Sequence, residues 1–238
     1  KKADKAGIRI AIASGRTPNS LNEIFKQIGV SPLLICLNGA YLEDDGKAIL
    51  KHTLTKEQLE KAYQVIVENK TYAAFSTPQF SIRNNDVSNS WKKQLEKGSL
   101  KADFIIAKDQ EDYQNLVFEY AQDIVKISIL ERDKGKYQKV RKELDLYAVA
   151  MSDIDYVDVT DKQVTKGSAV KELAKYLSID VNEVICIGDN ENDLEMLEGA
   201  GLAVAMKNAT KTIREKADVI SDFDNNHHGV ADVIEKYI

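Results

Sequence analysis

Apolar and polar positions follow two rhythms along this chain. Short apolar runs bounded by turn residues read as buried strands, and apolar residues three and four apart read as amphipathic helices. One run carries the most chemistry at its end. Val184-Ile185-Cys186-Ile187 stops at Gly188, Asp189-Asn190-Glu191-Asn192-Asp193 comes next, and a helical pattern continues through Leu194, Met196 and Leu197. The acids therefore fall at the carboxyl end of a strand and the amino end of a helix, where open α/β sheets bind ligands. A helix amino terminus attracts phosphate. Carboxylates there repel it unless a hard cation lies between, and Mg²⁺ is suited to one or two carboxylates plus phosphate oxygens and water. The plainer alternative is that Asp189 caps the helix.

The same rhythms order the rest of the chain. Residues 1–6 read as a helix tail with Gly7 as its cap, and neither an initiator Met nor a strand precedes them, so further sequence is expected upstream. Ile8–Ala13 reads as a buried strand running into Ser14-Gly15-Arg16-Thr17-Pro18, a turn able to cradle an anion with N–H groups and a hydroxyl. Leu21, Ile24, Phe25 and Ile28 mark a helix ending at Gly29. Leu33–Leu37 reads as a second buried strand, leading into the turn Asn38-Gly39, and a short hairpin is expected around Asp44-Asp45-Gly46. Thr55 through Asn69 reads as an amphipathic helix, with Leu59, Ala62, Tyr63, Ile66 and Val67 inward.

Short strand-like segments come next at Tyr72–Phe75, Phe80–Arg83, Phe104–Ala107, Ile124–Leu130 and Tyr147–Met151, with a helix over Gly135–Leu144. They predict a mixed α+β unit inserted into the first domain. Trp91 and Phe80 read as its core, and Asp153-Ile154-Asp155 as its surface. Tyr156–Val159 is expected to resume the first domain. Lys166 then opens a helix that buries Ala169, Val170, Leu173, Ala174 and Leu177. The helix dipole disfavours a cation at that end, which anion binding or plain solvent exposure explains. Leu202–Met206, Ala209–Ala217, Val219-Ile220 and Val230–Ile238 complete a strand–helix–strand–helix ending. The expected fold is α/β, with a Rossmann-like parallel-sheet core in residues 1–52 and 154–238 and an inserted α+β cap in residues 53–153.

Bulk properties exclude several classes. The 238 residues carry a net charge of −5, with 43% hydrophobic and 30% charged residues. Basic residues are interspersed with acids, so nucleic acid is not an expected partner. No apolar stretch has the length of a membrane span, and membrane partners are not expected. Cys36 and Cys186, the only cysteines, lie in strand-like runs. Buried free thiols fit a reducing cytoplasm.

Three strand ends on one sheet edge thus offer a hydroxyl with free N–H groups (Ser14, Gly15), a cation (Lys166) and a carboxylate–amide set (Asp189, Asn192, Asp193). Together they suit a phosphate and a divalent metal, the requirements of phosphoryl transfer. No nucleophile is evident among them.

The segments Ile10-Ala11-Ile12-Ala13-Ser14-Gly15-Arg16, Asn38-Gly39-Ala40, Lys166-Gly167 and Gly188-Asp189-Asn190-Glu191-Asn192-Asp193 resemble the haloacid dehalogenase (HAD) superfamily. The similarity is to its Cof-type phosphatases with a large cap between the second and third motifs, and in particular to the YidA-like sugar phosphatases. The resemblance implies that Ser14 and Gly15 hydrogen-bond the transferring phosphate and that Lys166 neutralises charge. It implies Asp189 as a Mg²⁺ ligand, Asn192 as a phosphate contact, and Asp193 as a carboxylate supporting Lys166 or a metal-bound water. It further implies that Arg16 and Asn38 line the mouth. The implied activity is Mg²⁺-dependent hydrolysis of small phosphorylated metabolites through an aspartyl-phosphate. A phosphomutase and a non-catalytic phosphometabolite-binding module are the alternatives. The family's attacking Asp lies on a DxDGT-like strand ahead of the first helix tail and has no counterpart here. The 238 residues alone are therefore expected to be inactive. Substrate and oligomeric state stay open.

Overall fold

The computed structural model of the chain describes residues 2–29, 32–84, 103–144, 148–153 and 156–237. Among them three sheets form. β1 (Ala11–Ala13), β2 (Leu33–Cys36), β3 (Tyr41–Asp44) and β4 (Lys47–Lys51) make the first, in that order, with β1 parallel to β2 and the rest antiparallel. The second runs β7 (Asp103–Ile106), β6 (Phe80–Arg83), β5 (Tyr72–Ser76), β8 (Lys126–Leu130), β10 (Tyr156–Thr160), β9 (Ala148–Asp153). β11 (Ile185–Gly188), β12 (Leu202–Ala205) and β13 (Val219–Ile220) form the third, all parallel. Helices α1 (Lys2–Lys5), α2 (Pro18–Ile28), α3 (Lys56–Asn69), α4 (Gln110–Glu119), α5 (Lys134–Glu143), α6 (Lys166–Leu177), α7 (Leu194–Glu198), α8 (Lys211–Lys216) and α9 (Gly229–Tyr237) pack against them.

Local chemistry sets several boundaries. Thr55 caps α3 and Thr165 caps α6, each by a reciprocal bond with the residue three positions on, Gln58 and Ser168. Leu59, Ala62, Tyr63 and Ile66 of α3 are buried as the periodicity predicts. They pack with Phe75, Ile82, Ile127 and Ile129 of the six-stranded sheet, and Phe80 packs at the edge of the same core. Leu33 and Ile35 join Ala169, Leu173, Cys186 and Ala205 in a second core. The β3–β4 hairpin forms through Asp45-Gly46, both at positive φ.

Three expectations are corrected and one helix is added. Only Ala11–Ala13 of the run from Ile8 is strand, and Ile8 is 39% exposed. Among the described residues β1 has a strand partner on one side only, and its other side faces a cavity. Tyr156–Val159 does not rejoin the first sheet: it is the β10 strand, paired with β8 and β9. Val157 and Val159 bury on the face that carries Ile127 and Ile129, which decides the matter. Ile24 of α2 is 37% exposed rather than inward. Helix α4 adds to the expected elements: Asp109 caps it, and Tyr113 and Val117 are buried four residues apart. Trp91, Ile154 and Asp155 lie outside the described residues.

Cys36 and Cys186 are buried free thiols. Burial, aided by the Glu43 carboxylate at Cys36 and that of Asp193 at Cys186, pushes both up, Cys186 to about 12. Neither is a nucleophile at neutral pH. No helix among the described residues is long and apolar enough to cross a membrane.

Candidate functional site

The turn after β1 is fixed by β2 and by the Leu37–Gly39 turn at the end of β2. Ser14 donates its N–H to the Ile35 carbonyl at 2.8 Å, and its own carbonyl accepts the Asn38 N–H at 3.1 Å. Its Oγ accepts the Arg16 N–H at 3.2 Å. Leu37 and Asn38 sit at φ 54° and 59°, a left-handed conformation costing roughly 1–2 kcal/mol per non-glycine residue. That conformation aims the Asn38 side chain. Its Nδ2 donates to Asp158 Oδ2 at 2.9 Å, and its Oδ1 faces Asn192 Nδ2 at 3.4 Å. Gly39 comes next at φ 103°, where an added Cβ meets the Thr165 carbonyl oxygen at 2.3 Å. Only glycine lets this turn press against the start of α6.

Lys166 stands at that start, and the dipole that disfavours it is offset by Asp193. Nζ donates to Asp193 Oδ1 at 2.6 Å, with side chains 7% and 8% exposed. The other oxygen, Oδ2, accepts the N–H of Asp189 at 3.0 Å and of Asn190 at 3.2 Å. One carboxylate therefore ties the lysine to the turn after β11. Gly188 makes room for it, since a Cβ there falls 2.6 Å from the Asp193 Cβ. Asp189 itself is exposed, and its Oδ2 accepts from Asn208 Nδ2 at 3.3 Å.

Two residues of the site are not evident from the sequence. Lys126 Nζ donates to the Gly15 carbonyl at 2.8 Å and to Asp158 Oδ2 at 3.1 Å. Ser128 Oγ donates to Asp158 Oδ1 at 2.6 Å. The Lys126 and Asp158 side chains are 8% and 5% exposed. This pair joins the six-stranded sheet to the Ser14–Arg16 turn. A signal existed: Lys126 and Ser128 alternate with Ile127 and Ile129, and Asp158 sits between Val157 and Val159. Alternation shows a polar face but not what faces it.

All eight residues chosen from the sequence, Ser14 to Arg16, Asn38, Lys166, Asp189, Asn192 and Asp193, line one cavity of about 1740 Å³, together with Lys126 and Asp158. Lysine and arginine groups, a turn with its hydroxyl and an exposed carboxylate at a strand end suit an anion beside a hard cation. Among the described residues no three acids, histidines or cysteines converge as a self-sufficient metal cage.

Comparison with known proteins identifies the family. Residues 1–234 match the family model of haloacid dehalogenase-like hydrolases. Phosphatase YwpJ of Bacillus subtilis (strain 168) is 27% identical over 263 residues, covering 99% of this chain and 90% of that protein. A solved haloacid dehalogenase-like hydrolase of B. subtilis superposes with a TM-score of 0.89 at 24% identity, over 100% of this chain and 90% of that one. A sugar phosphatase of HAD subclass IIB gives a TM-score of 0.80 at 20% identity, over 99% and 88%. The chain belongs to the haloacid dehalogenase-like hydrolase family.

Proposed function

We propose that the chain carries the phosphate- and Mg²⁺-binding machinery of a phosphatase acting on phosphomonoesters of small metabolites, sugar phosphates among them. The observation that carries this reading is the meeting of three strand-end turns at one cavity, with Lys166 locked to Asp193. Family membership and the phosphatase names of relatives support it. In this reading Ser14 Oγ, the Gly15 N–H and Asn192 contact phosphate oxygens, Lys166 balances their charge, and Arg16 and Asn38 line the mouth. Asp193 acts as a positioning residue, through Lys166 and the Asp189 turn. Two buried free thiols support a cytoplasmic setting.

The residues fit Mg²⁺ as a shared rather than a caged ion. Asp189 is exposed on the cavity and offers one carboxylate, and Mg²⁺ commonly takes one or two carboxylates with phosphate oxygens and waters. Held by Asp189, such an ion would neutralise charge on the transferring phosphate. Turnover through an aspartyl-phosphate also needs an attacking carboxylate. Of the described acids lining the cavity, Asp158 and Asp193 each hold a lysine, Asp189 is assigned to the metal, and Glu183 accepts the Asp180 N–H ahead of β11. Phosphate binding, which needs no attacking group, is therefore the property that tests these residues.

Calorimetric titration with inorganic phosphate tests the reading. Mg²⁺ should tighten phosphate binding to the wild type by about tenfold or more, equivalent to 1.4 kcal/mol. Asp189→Asn should abolish that gain and leave metal-free binding intact. Equal affinities with and without Mg²⁺ in the wild type, or an undiminished gain in the variant, overturn the metal assignment.

A further inference from the structure

Across β5, β6, β8 and β10 the six-stranded sheet has an apolar and a polar face, and most of the side chains named below on each are buried. Phe75, Ile82, Ile127, Ile129, Val157 and Val159 pack into the core on one side. The other face carries Ser76, Ser81, Arg83, Lys126, Ser128 and Asp158, and all six line the cavity that holds Ser14 and Lys166. A buried sheet face is ordinarily apolar. Arg83 is 1% exposed, and Ser76, Ser81, Lys126 and Asp158 are 7% or less. Polar groups sequestered in this way against a cavity are suited to orienting a ligand.

The strand register orders these groups. Arg83 pairs with Ala74, Ala74 with Ser128, and Ser128 with Asp158, a single row across four strands. In the next row Ser81 pairs with Ser76, and Ser76 with Lys126. Asp158 and Lys126 mark the end of these rows that touches Asn38 and Gly15, the phosphate end. Arg83 marks the far end. At about 4.8 Å per strand, its Cα stands roughly 14 Å from that of Asp158. Between them the side chains are small: Ala74, Ser76, Ser81 and Ser128. Arg83 is oriented by its Nε–H bond to Ser81 Oγ at 3.3 Å and by the Phe104 ring, 4.2 Å from its Cζ. A planar guanidinium on a cavity wall is a group suited to a carboxylate or phosphate.

We propose that Arg83 is a specificity residue for a second anionic group on the substrate, remote from the transferring phosphate. The serine hydroxyls of the intervening rows meet the hydroxyls of a short polyol or sugar chain. The substrate class is thus a small polyhydroxylated phosphate ester with a carboxylate or a second phosphate at its other end. This rests on the phosphatase reading, which fixes the phosphate end.

Calorimetry with four probes tests it: inorganic phosphate, glucose phosphate, phosphogluconate and fructose bisphosphate carrying phosphate at both ends. The wild type should bind at least one of the two doubly anionic sugars about tenfold or more tighter than glucose phosphate. The favoured one identifies the second anion as carboxylate or phosphate. Arg83→Gln should erase that preference while inorganic phosphate affinity stays unchanged. Because a buried arginine also supports folding, Ser81→Ala serves as a milder variant. It removes one orienting bond and should reduce the preference severalfold. Phosphate binding without any preference for a doubly anionic sugar, or a preference intact in both variants, overturns this proposal alone. Failure of the wild type to bind inorganic phosphate overturns it together with the reading it rests on.

Discussion

Asp193→Ala is expected to lower the unfolding free energy by about 3–5 kcal/mol, the usual cost of removing one partner from a buried ion pair. The size reflects the groups left behind. Lys166 Nζ keeps its burial and loses an acceptor 2.6 Å away. The N–H groups of Asp189 and Asn190 lose theirs as well. Urea unfolding measures the effect, and Asp189→Ala is the control. Asp189 is exposed, so its removal should stay within about 0.5 kcal/mol of wild type. The double variant Lys166→Met/Asp193→Leu should be less destabilised than the two single changes summed, because no uncompensated charge remains. A loss below about 1 kcal/mol for Asp193→Ala contradicts the geometry, since that is the range of an ordinary substitution.

Asp158→Ala should show the second large effect, about 3 kcal/mol or more by the same reasoning. Its carboxylate accepts from Asn38, Lys126 and Ser128 at once. Without it, Lys126 stays buried and loses its carboxylate partner, keeping its bond to the Gly15 carbonyl, and Asn38 is freed from the far side of the cavity. The predicted signature is local as well as global. Amide exchange should accelerate at Leu37 and Asn38, whose N–H groups bond to the carbonyls of Arg16 and Ser14. Exchange in β11 and β12 should change less. Uniform acceleration everywhere, or none at Asn38, refutes the bridging role given to Asp158.

The three chemical turns are legible in the sequence because each is a local event. A strand that stops at Ser14 or Gly188 and passes into a helix writes both its geometry and its ligand groups within about ten residues. The helix beginnings at Thr55 and Thr165 are legible for the same reason, through side chains that bond three positions away. Strand order is not. Tyr156–Val159 has the composition of a core strand of either sheet, and its place depends on Ile127 and Ile129, far earlier in the chain. Helix α4 buries only Tyr113 and Val117, too thin a stripe to stand out from its polar surroundings. Lys126 and Asp158 are visible as polar positions in alternating strands. That they meet Gly15 and Asn38 rather than water is a property of how the sheets face each other. The same holds for Arg83: a strand residue in sequence, it becomes a candidate for substrate contact only through its place on the cavity wall.

In the proposed reading, Ser14, Gly15, Lys166 and Asn192 enclose one phosphate position. Anomalous scattering from crystals soaked in tungstate, a heavy tetrahedral oxyanion, locates that position. The expected result is a peak whose oxygens lie within about 2.7–3.2 Å of Ser14 Oγ, the Gly15 N–H and Lys166 Nζ. A tungstate bound elsewhere on the protein, with that position empty, contradicts the reading.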